Sequence, residues 1–272
     1  MHMFFVDWLS ELMKFCYNIS SSYVLSIIIF TAVTKIVLLP INIWTHMYSI
    51  KYVNLLPDVY NIKLLYYGDR DLINEKTLDI YKQKKYHPLL GAVPLILQFI
   101  ILFGVIEAVN LQVNSIEDHS IFVSVGIDYS LIASDAGGIY MLFPIFAALS
   151  ALIMCYTQNK SHVLQSQQGN FNKYSTMILS TALSLYLGFF VSGSVVIYWI
   201  ASNLLSILQM YLLNIFINPK KRIDYDRLNR LREELDSMKH SGRKLTLVQR
   251  KKQRVDYKKF FSVLNKHVVF YA

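Results

Sequence analysis

The sequence predicts an all-α integral membrane protein with five transmembrane helices, N-terminus outside and C-terminus inside, carrying a cytosolic helical hairpin. Three observations predict it. Of the 272 residues, 54% are apolar and only 17% are charged, against roughly a quarter charged in an ordinary soluble protein. The apolar residues gather into runs long enough to cross a bilayer, and the basic residues fall on alternate connections between those runs. The mean hydropathy of +0.36 is thus an average over very uneven segments.

A span needs about 20 mostly apolar residues at roughly 1.5 Å each. Five stretches qualify: 23–44, 89–109, 139–156, 174–191 and 195–217, of 22, 21, 18, 18 and 23 residues. Between them the counts of Lys and Arg are 7 in 46–88, none in 110–138, 2 in 157–173 and 16 in 218–272. The 110–138 loop instead carries four acids, Glu117, Asp118, Asp128 and Asp135. Basic connections stay in the cytoplasm, which sets the orientation. The chain divides into an external interfacial amphipathic helix over 1–21, a five-span core over 22–217 with a cytosolic hairpin at 45–88 and an external loop at 110–138, and a basic cytosolic tail over 218–272.

Before the first span, Phe4, Phe5, Trp8, Leu9, Leu12, Phe15 and Cys16 recur at helical spacing, with Asp7, Glu11 and Lys14 on the other side. That pattern fits a helix lying in the membrane interface. Leu12 to Cys16 is not read as a lipoprotein cleavage site, because Lys14 interrupts it and no apolar signal core precedes it. The N-terminus is expected to be retained. Cys16 and Cys155 fall on opposite sides of the membrane, so no disulfide is expected. Residues 45–88 alternate charged and apolar positions and are divided by Tyr67-Gly68-Asp69-Arg70-Asp71, with Asp71 placed to cap the second helix. With seven basic and five acidic residues over 46–88, this hairpin reads either as an arm over the membrane surface or as a solvated connector.

Ser192-Gly193-Ser194 leaves only a tight external turn between the fourth and fifth spans, which makes them antiparallel neighbours. On the fifth, Trp199, Ser202, Asn203, Ser206 and Gln209 share one helical face. Such a stripe either glues helices together or lines a pathway.

Lys35 is the thirteenth residue of its 22-residue span, which holds no acid. A central Lys costs roughly 2.5–3.5 kcal/mol on insertion scales. Trp44 marks the cytosolic boundary nine residues on, roughly 13 Å at the helical rise and farther than the side chain comfortably snorkels. Glu107, the one carboxylate within any other span, sits near the outer end of its own. What remains is a water-filled cavity open to the cytoplasm, where a fixed positive charge attracts acidic polypeptide, anions or lipid headgroups.

Four motifs in order resemble the YidC/Oxa membrane protein insertases over nearly the whole chain. The first is Ser22-Tyr23-Val24-Leu25 through Thr34-Lys35-Ile36-Val37-Leu38-Leu39-Pro40. The second runs from Tyr81-Lys82-Gln83-Lys84-Lys85 through His87-Pro88 and Gly91 to Pro94-Leu95-Ile96-Leu97-Gln98. The third is Gly126-Ile127-Asp128-Tyr129-Ser130-Leu131 with a short span ending Tyr156-Thr157-Gln158. The fourth is Gly193 through Tyr198-Trp199-Ile200-Ala201-Ser202-Asn203 to Gln209. The resemblance implies a bacterial inner (plasma) membrane protein that inserts newly made membrane proteins without hydrolysing nucleotide, alone or with the Sec translocon. It implies no catalytic residue, metal or cofactor. It also implies a hydrophilic client-binding groove, formed here by Lys35, Gln98, Gln158, Trp199, Ser202 and Asn203. Lys35 stands where the family usually has Arg. Ser192 and the stretch 175–177 lack prolines common in the family, which suggests a divergent or secondary paralogue.

The physics of such a groove is simple: it shortens the path of a client's hydrophilic end through hydrocarbon, where each unpaired polar group costs several kcal/mol. Partition of the apolar segment, at about 25 cal/mol per Å² buried, supplies the driving force. The tail has 16 basic and 6 acidic residues, and its densest clusters are Lys220-Lys221-Arg222 and Arg250-Lys251-Lys252-Gln253-Arg254. Its partner is expected to be anionic, either ribosomal RNA or inner-leaflet lipid at roughly 1 kcal/mol per basic residue. The competing reading is a small anion or solute transporter or channel, but the spans show no repeated halves. An enzyme fits worse, with scattered His, no metal-ligand spacing and no Gly-x-Ser-x-Gly elbow.

Overall fold

The computed structural model describes residues 2–115 and 119–241. Glu117 and Asp118 of the acidic loop, and the cluster Arg250, Lys251, Lys252 and Arg254, lie outside the described residues. The elements are almost all helical: α1 (His2–Ser20), α2 (Tyr23–Val37), α3 (Leu39–Leu65), α4 (Arg70–Gln83), α5 (Val93–Ser115), a short antiparallel hairpin β1 (Val123–Ser124) and β2 (Ile127–Asp128), α6 (Ala133–Ala136), α7 (Leu142–Ser161), α8 (Asn170–Gly188), α9 (Gly193–Phe216) and α10 (Tyr225–Ser241). They group into two compact units. One holds the residues up to Ser49 with Leu89–Pro219, and the other holds Ile50–Pro88 with the chain from Lys220 onward.

Gly138–Ser161 and Gly193–Lys221 are each long and apolar enough to cross a membrane. The run 23–44 expected as the first span is divided: α2 and α3, apolar enough together to cross a membrane, meet at a 55° bend. Pro40 is the reason. In a continuous helix its nitrogen would donate to the Ile36 carbonyl, but proline has no N–H and its ring crowds the preceding turn, so it is accommodated only in the first turn of a new helix. Leu38 caps α2 with its N–H on the carbonyls of Thr34 and Ile36. A shorter apolar helix covers Ile96–Leu111 within α5.

In the first unit, α1 packs on α2 and α5, and α2 packs on α9. Val6, Leu9, Met13 and Cys16 of α1 are buried against Ile27 and Phe30 of α2, with Val105 and Val109 of α5 and Val195 and Tyr198 of α9 in the same cluster. The buried stripe of α1 is thus narrower than its apolar composition suggests, and Trp8 and Phe15 stay exposed. Ser21, at φ 53, ends α1 in the left-handed region, with its N–H returning to the Tyr17 carbonyl at 2.8 Å.

The loop after α5 is anchored on the turn between α8 and α9. Val125 and Gly126, at φ 51 and 75, form a two-residue turn with the mirror-image twist that suits a hairpin. Tyr129 then offers its carbonyl to both the N–H (2.8 Å) and the hydroxyl (2.7 Å) of Ser194. The Gly193 N–H donates to the Leu131 carbonyl at 3.0 Å. α7 packs closely on α8 and α9.

In the second unit, Val53, Val59 and Ile62 of the later part of α3, Ile80 of α4, and Ile223, Leu228 and Leu235 of the tail segment are buried. α4 is capped by Asp69, which accepts from the Leu72 N–H at 3.1 Å. The expectation that Asp71 would cap it is corrected: Asp71 stands in the first turn, where its charge faces the positive end of the helix dipole. The beginning of the expected tail is an ordered helix, α10, whose Arg227 pairs with Asp58 of α3 at 2.8 Å.

Candidate functional site

A cavity of about 160 Å³ lies among α2, the first turns of α3, α5, α7 and α9. Helical spacing explains what faces it. Thr34 and Lys35 end α2. Leu38, Asn42, Thr45 and His46 follow across the bend, while Ser202, Ser206, Gln209 and Leu213 recur every three or four residues along α9. Gln98 comes from α5 and Gln158 from α7.

The Lys35 ammonium donates to the Ser206 hydroxyl at 2.7 Å, and that hydroxyl donates to the Ser202 carbonyl at 2.7 Å. Ser206 thus accepts from a cation and passes the polarisation to the backbone. Lys35 also stands in the last turn of α2, where the free carbonyl end of the helix favours positive charge by roughly 0.3–1 kcal/mol. No carboxylate lines the cavity among the described residues. Glu107 is exposed on α5. The site is therefore a polar pocket with a fixed cation and no fixed anion, and an incoming carboxylate or phosphate would supply the missing charge.

Four carboxamides from four helices reach the same cavity. Asn42 Nδ2 donates to Gln209 Oε1 at 3.1 Å, tying α3 to α9 just beyond the bend. Gln98 and Gln158 bond to no side chain among the described residues. At one end of the site, the His46 Nε2–H donates to the Ile217 carbonyl at 3.2 Å, the tautomer being fixed because a carbonyl only accepts. His162, just past α7, also lines the cavity. Burial, with a smaller contribution from the charge on His46, pushes its pKa down to about 4.

Of the six groove residues expected from sequence, Lys35, Gln98, Gln158 and Ser202 are on the cavity wall. The other two are not among the lining residues. Asn203 is buried and turned toward α7, where its Nδ2 donates to the Ser150 hydroxyl at 3.0 Å. Trp199 packs against the apolar cluster near α1 and α2. The polar stripe of α9 thus splits by function: Asn203, with Asn214 donating to the Ser161 carbonyl at 2.9 Å, glues α9 to α7, whereas Ser202, Ser206 and Gln209 face the cavity. Thr34, Asn42, His46 and His162 were not anticipated. Asn42 and His46 follow Lys35 at helical intervals and were legible in principle, but they lie at the expected membrane boundary, where polar residues need no special reason. Lys220, Lys221 and Arg222 are exposed at the start of the second unit's tail segment.

These features define a helical membrane protein with a cationic polar pocket among its helices. A sequence model of the family described as 60Kd inner membrane protein matches residues 15–221. The chain belongs to that family, the YidC/Oxa group, and is a bacterial membrane protein. It is 25% identical over 207 residues to the "Membrane protein insertase YidC" of Fusobacterium nucleatum, an alignment covering 75% of this chain and 93% of that protein. It is 21% identical over 254 residues to "Membrane protein insertase YidC 1" of Listeria monocytogenes, covering 88% and 81%. With the corresponding protein of Rickettsia africae it shares 24% identity over 213 residues, covering 75% of this chain but 37% of that protein.

Proposed function

We propose that this chain inserts newly made membrane proteins into the bacterial cell membrane through the cavity around Lys35, acting alone or beside the Sec translocon. The observation that carries the reading is a cation held by a hydroxyl and a helix end, with no carboxylate among the described residues that line its cavity, in a chain whose relatives are named membrane protein insertases. The client's hydrophilic end enters a polar pocket in place of hydrocarbon, so fewer of its polar groups are stranded at any moment. Its apolar segment then partitions into lipid along the outer flanks of the helices, where side chains such as Phe103 and Leu179 are exposed. No bond is made or broken, and no nucleotide, metal or cofactor is required.

In this reading the chain crosses the membrane five times, with the bent α2–α3 pair as the first crossing and α5, α7, α8 and α9 as the others, the N-terminus outside and the C-terminus inside. The strong charge asymmetry of the connections supports that arrangement. The hairpin over 45–88, formed by the later part of α3 with α4, lies in the cytoplasm. The groove residues are Lys35, Gln98, Gln158 and Ser202, with Trp199 and Asn203 holding α9 in place. The basic tail, from Lys220, Lys221 and Arg222 to Arg250, Lys251, Lys252 and Arg254, meets the ribosome or the anionic inner leaflet.

The test is reconstitution of the full chain in phosphatidylglycerol-containing vesicles without Sec. Protease protection is scored for a single-span client with a short acidic N-terminal tail. Insertion above empty vesicles that weakens in Lys35→Ala and fails in Lys35→Glu is the expected result. Insertion indifferent to both substitutions overturns the charge mechanism. No insertion above empty vesicles overturns the autonomous activity, and anion flux in its place would make the protein a transporter.

A further inference from the structure

The cavity carries more recognition chemistry than one cation requires. Carboxamides from four separate helices converge on it: Asn42, Gln98, Gln158 and Gln209. Two of them satisfy each other through the 3.1 Å bond between Asn42 and Gln209. Gln98 and Gln158, on α5 and α7, bond to no side chain among the described residues, although each stands in a pocket walled partly by Leu97, Ile101 and Met154. On the neighbouring face of α9 the amides that hold helices together do have partners, Asn203 donating to the Ser150 hydroxyl and Asn214 to the Ser161 carbonyl, whereas Gln98 and Gln158 are half-buried with their amides left to the cavity.

A carboxamide is the side-chain equivalent of a peptide unit, offering N–H donors beside a C=O acceptor in one plane. An extended polypeptide presents the same two groups along its edge. It carries them whatever its sequence, and they are what makes its passage through hydrocarbon costly. We infer that Gln98 and Gln158 read the peptide backbone of a client's hydrophilic tail, with the Asn42–Gln209 pair able to part and add to the same ladder. Lys35 then selects acidic side chains, while the amides accept any extended segment, including an uncharged one. This inference rests on the insertase reading, and its test separates the two.

Two synthetic single-span clients serve as probes, one with an N-terminal tail of glycines and one with the same number of sarcosines. N-methylation removes the backbone N–H and leaves charge unchanged. Sarcosine has fewer polar groups to desolvate, so bare partition favours it, opposite to backbone recognition. Binding to the detergent-solubilised full chain is measured first, followed by insertion into phosphatidylglycerol vesicles. The wild type is expected to bind the glycine client about tenfold more tightly, the equivalent of one or two retained hydrogen bonds. That preference is kept in Lys35→Ala and in the amide-preserving Gln98→Asn/Gln158→Asn, and lost in Gln98→Leu/Gln158→Leu. Equal binding of the two clients by the wild type overturns the inference, as does a preference that survives the Leu variant. If the Leu variant does not fold, the wild-type ratio and the Asn variant still decide. A glycine preference in binding without insertion above empty vesicles would sustain backbone recognition and remove the insertase reading. Insertion with no discrimination would do the reverse.

Discussion

Lys35 shows what a cation among apolar helices costs its fold. Its ammonium is held by Ser206 and by the end of α2, without a carboxylate in the cavity among the described residues. Replacing it with Met removes a desolvated charge and leaves no orphan, because the Ser206 hydroxyl keeps its bond to the Ser202 carbonyl. Lys35→Met is therefore expected to raise thermal stability in detergent by on the order of 1 kcal/mol, part of the penalty of an intramembrane cation, while weakening insertion of acidic-tailed clients. A lower melting temperature would show that the cation is better compensated than this geometry allows. His162 gives a second prediction at the same scale. Burial, and then the charge on His46, hold its folded pKa near 4 against an ordinary value of 6.5, so between those two values the unfolded chain binds the extra proton. Stability from this residue is complete above about pH 6.5 and falls as the pH drops toward 4, by at most about 3 kcal/mol. Unfolding measured across that window should flatten in His162→Gln.

At the scale of elements, close approach of backbones decides the packing of α7 on α8. A Cβ built on Gly188 would lie 2.9 Å from the Cα of Pro144, a backbone atom that cannot swing aside. In an exposed helix Gly→Ala gains up to about 1 kcal/mol of propensity. Here the two helices must separate, and Gly188→Ala is expected to destabilise by about 1–3 kcal/mol, measured by thermal unfolding. Small residues at membrane helix contacts serve this purpose generally. Hydropathy made most of these elements legible in the sequence. It did not show that the first apolar run breaks at Leu38, because averaged hydropathy is blind to a single missing N–H at Pro40. The expectation for the hairpin turn named Asp71 as the cap, two residues too late, since Gly68 at φ 90 places Asp69 in the capping position instead. α10 was missed for a different reason. Its net composition is charged, and its buried positions are few, Leu228 and Leu235 lying seven residues apart. Charge counting therefore registered only a basic tail.

For the whole molecule, the site was legible as residues and not as a division of labour. Motif and periodicity together pointed to the polar stripe of α9, but only packing shows that Asn203 and Asn214 bind that helix to α7 while Ser206 and Gln209 bind it to the bent α2–α3 pair. Two bonds, one on each side of the bend at Leu38, thus join the bent pair to α9 across the cavity. A client segment that fills the cavity must compete for both. The Asn42–Gln209 bond is neutral, worth about 1 kcal/mol, and an incoming peptide group replaces it at little loss. A covalent tie at the same point cannot be replaced. Asn42→Cys/Gln209→Cys, in a background with Cys16 and Cys155 changed to Ser, should still insert clients when reduced, more slowly than wild type because two amides are gone, and the reduced protein serves as its own reference. Joined by a short bifunctional methanethiosulfonate, it should lose insertion at least tenfold and recover it on reduction. Undiminished insertion by the bridged protein would mean that clients pass without parting α3 from α9, and would move the entry path to another face of the cavity.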